Sequence, residues 1–334
     1  MAQMEPGDRL ASHTRCQSER RITESPPRYR HRVSLRQWRQ RQGAQASQTD
    51  SAVQSVVRYD RDQPSFAGLA VEDQNMEIRT SDGVELSFDI AGTDSPSFLF
   101  VHGGGADRSH LAPQFDFFSQ RNRSINLDLR GYGKSGRLEK YGTIEQYAED
   151  LADLCNQLDI QKAIIVGHSM GGMVAVEFAA KYPLLSTAAV LISSGVLFPR
   201  AALADEANVL EGLRSPAYKD ALCELISQIC LPSDHCKTYA KESFLAVPQQ
   251  QWIAHFETMF AWNDKAVDRL KACKLPILYI EDDGGRYSDL ALFSEVCPQL
   301  VVGKVVGSGH FPTLEVPDQV NAMIQRFIAV YVKL

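Results

Sequence analysis

The sequence lacks the marks of several special classes of protein. Its apolar runs stay well short of the roughly 18 residues that a membrane-spanning helix needs. Its seven cysteines are an odd number, form no CxxC pair and have no histidine at zinc-site spacing. These absences argue against a membrane span, a disulfide scaffold and a metal site. The cysteines are typical of reduced thiols in a cytoplasmic protein.

Acidic residues outnumber basic ones beyond the first 65 residues. Residues 1–65 hold twelve Arg, no Lys and seven acids, a net charge near +5, while the whole chain has a net charge of −6, which leaves about −11 for the rest. An acidic body argues against nucleic acid as the main partner. Large aliphatic residues are few in residues 1–65, and neither helical nor strand periodicity runs through them, so we expect a disordered tail.

From residue 66 onward, short apolar runs alternate with longer helical patterns. Alternating residues on both sides of Ser81-Asp82-Gly83 predict a hairpin over 76–92. Continuous apolar strands separated by helices predict an α/β fold with a doubly wound, mostly parallel sheet that is covered on both faces. The apolar runs are FLFV (98–101), SINLDL (124–129), KAIIVG (162–167), AAVLIS (188–193), PILYI (276–280) and LVVGKVV (300–306).

Residues 196–266 break this alternation. They hold several short amphipathic helical patterns and many aromatic residues, without an evident strand. We expect a helical lid over a site at the sheet edge, inserted into a core made of residues 66–195 and 267–334. The alternative is a second helical layer with no role at the site.

A serine between glycines stands where one apolar strand stops and a helical pattern begins, in Gly167-His168-Ser169-Met170-Gly171. A sharp turn from strand to helix presents a serine hydroxyl but strains the backbone, so bulky side chains two residues away are excluded. The helix N-terminus also directs amide donors toward developing negative charge. Ser169 is therefore the candidate nucleophile, and a small polar residue in a turn is the alternative.

A serine hydroxyl needs a base and an orienting acid to attack at neutral pH. His310 follows the predicted strand 300–306 in a short polar loop before the last helix and is the candidate base. The acid is expected after the strand 276–280, where Asp282 and Asp283 are adjacent. We favour Asp283 and keep Asp282 open, because spacing alone does not separate consecutive acids.

Backbone donors for an oxyanion are expected in two places. His102-Gly103-Gly104-Gly105 follows a core strand, where glycines let amides approach a substrate closely. We assign the oxyanion hole to the amides of Gly104 and Met170, with Gly103 as the alternative donor or a substrate contact. The sequence has no G-x-x-x-x-G-K-[ST] and no G-x-G-x-x-G with an acidic partner, so phosphate binding is disfavoured.

Four segments and the helical insertion together resemble the α/β-hydrolase family over residues 76–334. The family's members are usually cofactor-free hydrolases of esters, lactones or, in the meta-cleavage branch, carbon–carbon bonds. The strand-to-helix turn around Ser169 matches the family's nucleophile elbow. Serine at the centre of this elbow sets the chain apart from the dehalogenases and epoxide hydrolases of the fold, which carry aspartate there. The family's G-x-x-D after the penultimate strand is replaced by EDDGG. The matching segments are HGGG (102–105), DLRGYGKSG (128–136), GHSMGG (167–172) and GHFPTLEVP (309–317).

The resemblance implies a reaction in which Ser169 attacks a carbonyl carbon, His310 takes the serine proton and Asp283 orients the imidazole. We expect a small to medium apolar ester or lactone as substrate, with Trp262 among the aromatic residues that contact it. Two alternatives stay open: a carbon–carbon hydrolase of ring-cleavage products, and a ligand receptor of the same fold with little turnover. No cofactor, metal, nucleic acid or membrane partner is expected, and the oligomeric state stays open.

Overall fold

An eight-stranded sheet organises the computed structural model, which describes residues 76–137, 141–284 and 287–333, without the side chains at 200 and 201. The predicted tail, residues 1–65, lies outside these ranges. The strands are β1 Met76–Arg79, β2 Glu85–Ala91, β3 Asp94–Val101, β4 Asn122–Leu127, β5 Ala163–His168, β6 Ser186–Ile192, β7 Ile277–Glu281 and β8 Leu300–Lys304. Their order is β1-β2-β4-β3-β5-β6-β7-β8, and β2 runs antiparallel to both of its neighbours while the other pairs are parallel. The predicted hairpin and mostly parallel sheet are confirmed.

Helices cover both faces of this sheet. They are α1 Ala112–Ser119, α2 Ile144–Gln157, α3 Met170–Lys181, α4 Arg200–Arg214, α5 Tyr218–Ile229, α6 Lys237–Ala246, α7 Gln249–Asn263, α8 Ala266–Ala272, α9 Leu290–Val296, α10 Pro312–Glu315 and α11 Pro317–Tyr331. Strand β3 contributes side chains to both faces, because successive side chains of a strand point in opposite directions. Leu99 and Val101 pack with α2 and α3, whereas Phe98 and Phe100 pack with α1 and α11.

The helix α2 begins as its sequence predicts. Thr143 Oγ1 accepts a hydrogen bond from the N–H of Gln146, and the Gln146 side chain accepts one from the N–H of Thr143. This reciprocal capping satisfies donors that a helix start would otherwise leave open. None of the helices in the described ranges combines the length and apolar character that crossing a bilayer requires.

The segment 196–266 forms the helices α4 to α7, and β6 and β7 on either side of it are neighbours in the sheet. The chain therefore leaves the sheet at one strand end and returns to the adjacent strand. These helices have an apolar cluster of their own, which includes Phe244, Trp252 and, from the loop after β8, Phe311. We call this segment the helical insertion.

The register of the parallel strands brings several strand ends to one edge of the sheet. Val101 pairs with Gly167, and Ile192 pairs with both His168 and Ile280. The loops that follow β3, β5, β6 and β7 therefore start side by side. Ligand sites of open α/β sheets lie at this carboxyl edge.

Candidate active site

The turn between β5 and α3 holds Ser169 in a strained conformation. Its φ is 53° and its ψ is −120°, a backbone conformation that residues other than glycine rarely adopt. Three hydrogen bonds fix this backbone. The N–H of Ser169 donates to Ile192 O at 2.9 Å, and its carbonyl accepts from Gly172 N at 3.0 Å and from Ser194 Oγ at 2.6 Å. The surrounding structure therefore imposes the strain that presents the hydroxyl.

The glycines on either side of this turn are required by close backbone contacts. A Cβ at 167 would lie 2.1 Å from the carbonyl oxygen of Gly171, and a Cβ at 171 would lie 2.1 Å from that of Val101. Both distances are far shorter than any van der Waals contact. The G-x-S-x-G spacing thus has a steric cause in this fold.

His310 faces the serine across the sheet edge. Its Nε2 lies 3.0 Å from Ser169 Oγ, so the hydroxyl can donate to the ring. Its main chain is fixed from two sides, because its N–H donates to Ile229 O at 2.9 Å and its carbonyl accepts from His168 Nε2 at 2.6 Å. Burial, with smaller effects of His168 and His110, holds the pKa of His310 well below its ordinary value. The imidazole is therefore neutral at pH 7, as a general base must be.

Asp283, the favoured acid, is not brought to His310. Its Oδ2 accepts from the N–H of Gly307 at 2.9 Å, and its Oδ1 lies 3.4 Å from Lys304 Nζ, with 34% of the side chain exposed. The Gly307 amide, and then Lys304, hold the pKa of Asp283 below its usual range. Its own N–H donates to Ser308 O, which fixes the backbone with the carboxylate turned to the surface side of the loop.

Asp282 occupies the buried side of the same loop. Only 1% of it is exposed, and its Oδ1 accepts from the N–H of Gly284 at 2.8 Å. Gly284 packs against the loop that carries His310, since a Cβ there would lie 3.2 Å from the Cα of Gly309. In the described ranges no residue hydrogen-bonds to Nδ1 of His310, and the ring of Tyr287 lies 4.7 Å from the imidazole, centroid to centroid.

A cavity opens above Ser169 and His310, between the sheet edge and the helical insertion. Its non-atom space is about 620 Å³, a figure that includes open solvent at the mouth. Gly104 and Met170, the residues assigned to the oxyanion hole, line the cavity with the serine and the histidine. Gly103 lies directly behind the serine, where a Cβ would be 2.8 Å from Ser169 Cβ.

Comparison with known proteins agrees with this architecture. Residues 96–316 match the family model described as alpha/beta hydrolase fold. This chain belongs to the α/β-hydrolase family. The match spans the elbow, the loop after β3, the helical insertion and His310.

Three similar proteins are informative. An uncharacterized protein of Mycobacterium tuberculosis is 32% identical over 159 residues, 47% of this chain and 45% of that protein. The chain spans about half the length of the mycobacterial relatives it matches. The 2-(acetamidomethylene)succinate hydrolase of Mesorhizobium japonicum is 28% identical over 247 residues, 70% of this chain and 88% of that enzyme. A malate-bound structure of a thermophilic esterase from Thermogutta terrifontis has a TM-score of 0.68 and 28% identity, covering 78% of this chain and all of that one.

The large apolar residues of α7 lie in two environments in this α/β-hydrolase. Trp252, Phe256 and Met259 line the cavity, but Trp262, the predicted substrate contact, does not. Trp262 is fully buried, and its Nε1 donates to Glu177 Oε2 on α3 at 2.9 Å. It lies three residues beyond Met259, a rise of about 4.5 Å along the helix, where α7 has passed the cavity and packs on the core.

Several polar residues of the cavity wall were not predicted, among them Glu206, His255 and Tyr287. Burial raises the pKa of Glu206 to about 7, with a smaller effect of Asp205. The sequence does contain a signal for His255: it follows Trp252 by three residues, so the two side chains lie on the same face of the helix. Glu206 has no comparable signal, since it belongs to a helix whose orientation only the folded structure sets.

Arg130 and His110 serve the scaffold. Arg130 lies outside the cavity wall, and its guanidinium donates to Asp82 and Asp150. His110 is fully buried, and its ring packs on Phe311 and Tyr239. Within the described ranges, no three His, Cys, Asp or Glu side chains converge in a way that could hold a metal ion.

Proposed function

We propose that this α/β-hydrolase is a serine hydrolase that cleaves carboxylic esters or lactones through an acyl-enzyme. The observation that carries the proposal is the 3.0 Å contact between His310 Nε2 and Ser169 Oγ at the floor of the cavity. A hydroxyl within hydrogen-bond reach of a neutral imidazole is the arrangement that nucleophilic catalysis by serine needs.

The proposed first step forms a bond between Ser169 Oγ and the carbonyl carbon while Nε2 of His310 takes the hydroxyl proton. The carbonyl oxygen becomes an oxyanion, and the amides of Gly104 and Met170 donate to it. When the tetrahedral intermediate collapses, His310 returns the proton to the departing alcohol oxygen. Water then attacks the acyl-enzyme with His310 again as base, which releases the acid and restores the serine.

We assign the orienting acid to Asp282 rather than Asp283. Asp282 is buried beside the loop of His310, whereas the carboxylate of Asp283 is engaged by Gly307 and Lys304 at the surface. An acid at this position would hold the proton of the imidazole on Nδ1 and stabilise the imidazolium that forms during attack.

The cavity wall favours a substrate with an apolar body. Among its lining residues are Phe198, Leu225, Ile229, Phe244 and Trp252. The helical insertion supplies most of this surface, so we propose that it acts as the lid that selects substrates. Two similar proteins, the thermophilic esterase and the 2-(acetamidomethylene)succinate hydrolase, support hydrolysis as the reaction class.

The cysteines within the described ranges are free thiols; they are Cys155, Cys223, Cys230, Cys236, Cys273 and Cys297. Free thiols suit a reducing compartment, and the cytoplasm remains the proposed location.

An ester panel tests the proposed function. The wild type and Ser169→Ala are assayed with p-nitrophenyl esters of increasing acyl length, simple lactones and a ring-fission product. We expect turnover of short to medium esters, and a loss of about a thousandfold or more in the variant. Dominant turnover of the ring-fission product would favour a carbon–carbon hydrolase. A single acylation burst without steady-state turnover would favour a receptor.

A further inference from the structure

A histidine of the helical insertion touches the proposed oxyanion site. His255, on α7, lines the cavity and is 7% exposed. The edge of its ring that carries both nitrogens faces Gly104, because a Cβ at 104 would lie 2.0 Å from Cε1 and 2.5 Å from each nitrogen. The imidazole therefore rests directly on the backbone of Gly104, and only a glycine at 104 permits this contact.

The two ring nitrogens of His255 have different surroundings. Nδ1 lies 3.1 Å from Sδ of Met170, and a thioether sulfur carries no hydrogen and acts only as a weak acceptor. The proton of the ring therefore belongs on Nδ1. Burial lowers the pKa of His255 to about 3, so the ring is neutral at pH 7. Nε2 then keeps a lone pair that can accept a hydrogen bond.

Aromatic neighbours fix the orientation of this ring. Trp252 and Phe256 meet it edge-on, with centroid distances of 5.4 and 5.2 Å and interplanar angles of 90°. Trp252 is fixed in turn by a hydrogen bond from its Nε1 to Phe244 O at 3.0 Å. A polar group held in this way is preorganised for a ligand.

We propose that His255 is a specificity residue whose Nε2 accepts a hydrogen bond from the acyl part of the substrate, next to the scissile carbonyl. This rests on the proposed function, which places the carbonyl oxygen at the amides of Gly104 and Met170. A lone pair at this position repels the oxyanion itself, so its partner is a donor on the neighbouring carbon. The substrate class that fits is an ester or lactone of a 2-hydroxy or 2-acylamino acid.

The test compares the methyl esters of 2-hydroxybutanoic and butanoic acid, which differ by one hydroxyl. For each enzyme, the ratio of the two kcat/KM values is measured by proton release. The hydroxyl also alters the intrinsic reactivity of the ester, so the decisive quantity is the change in this ratio between wild type and variant. Partial unfolding lowers both rates equally and leaves the ratio unaffected.

His255→Phe keeps an aromatic ring but removes the acceptor, and we expect the ratio to fall about fivefold or more, the effect of one neutral hydrogen bond. His255→Gln keeps an acceptor oxygen and should retain most of the ratio. An equal ratio in wild type and His255→Phe, or a loss as large in His255→Gln, would overturn the role of His255.

The outcomes separate this role from the proposed function. Turnover of both esters that depends on Ser169, with a ratio that does not respond to His255, rejects the specificity residue alone. Absence of turnover of either ester by the wild type, together with inactivity toward the p-nitrophenyl panel, rejects both proposals.

Discussion

The two walls of the cavity are built in different ways. On the sheet side, Ser169 and His310 are fixed by main-chain hydrogen bonds to neighbouring strand ends and loops. On the insertion side, Glu206 and His255 project from helices and are surrounded mainly by apolar side chains. The first wall fixes Ser169 and His310 through the backbone, and the second offers side chains that can vary without disturbing the sheet. We therefore propose that separate parts of the chain carry the chemistry and the choice of substrate.

The largest expected effect comes from breaking the sheet side. In Gly171→Ala, the new Cβ would lie 2.1 Å from Val101 O and 2.8 Å from His102 O, both backbone atoms. We expect a loss of about 3 kcal/mol or more in the free energy of unfolding, or insoluble protein, in urea denaturation. Gly303→Ala is the control, since the nearest atom to its Cβ is the flexible Met323 Sδ at 3.1 Å. Equal stability of the two variants would contradict the steric account of the elbow.

The acid is the next test of the sheet side. Asp282→Asn should lower kcat by about a hundredfold to ten-thousandfold, because the imidazole loses its orienting charge. Asp283→Asn should change kcat less than about threefold, since its carboxylate contacts Gly307 and Lys304 at the surface. Both variants are compared in steady-state ester hydrolysis. The opposite ranking of the two substitutions would return the role to Asp283.

The sequence predicted the sheet, the helical insertion and the contact between Ser169 and His310 for a common reason. Glycines and the ends of apolar runs indicate where the backbone turns, and these turns determine which loops meet at the sheet edge. It did not separate Asp282 from Asp283, because the direction of a loop side chain depends on long-range contacts such as that of Asp283 with Gly307.

Trp262, the predicted substrate contact, lies outside the cavity wall for a related reason. Helical periodicity gives the face of α7 but not the point along its axis where the cavity ends. The same limit hid Glu206, whose helix packs against the cavity only through the tertiary arrangement of the insertion.

Buried histidines on both walls predict a loss of stability in acid. Burial lowers the pKa of His168 to about 4 and that of His255 to about 3. Between these values and the ordinary pKa near 6.5, the unfolded chain binds more protons than the folded chain, so the free energy of unfolding falls as pH falls below about 6.5. At pH 5, each such imidazole lowers the free energy of unfolding by about 2 kcal/mol.

Urea denaturation at pH 7 and pH 5 measures this effect. The wild type should lose several kcal/mol between the two, and His255→Phe should lose about 2 kcal/mol less. An identical pH dependence in the two proteins would show that His255 is not buried in its neutral form.

The smallest expected effect is on the insertion side, at Glu206. Burial raises its pKa to about 7, so its charge appears at the cavity wall as pH rises from 6 to 8. The KM for an apolar ester should rise by about threefold over this range because binding must desolvate the carboxylate, and Glu206→Gln should show a flat KM. Glu211→Gln is the control, because Glu211 is exposed and pairs with Arg214 on the same helix. A flat KM in the wild type would exclude Glu206 from the binding wall.

Labelling with a fluorophosphonate probe tests whether Ser169 is the nucleophile and His310 its base. The full chain is treated with the probe, digested and mapped by mass spectrometry, beside Ser169→Ala and His310→Ala. We expect one modified residue, Ser169, in the wild type, much slower labelling without His310, and no adduct in Ser169→Ala. An adduct on another residue, or labelling of Ser169→Ala at the wild-type rate, would contradict these roles.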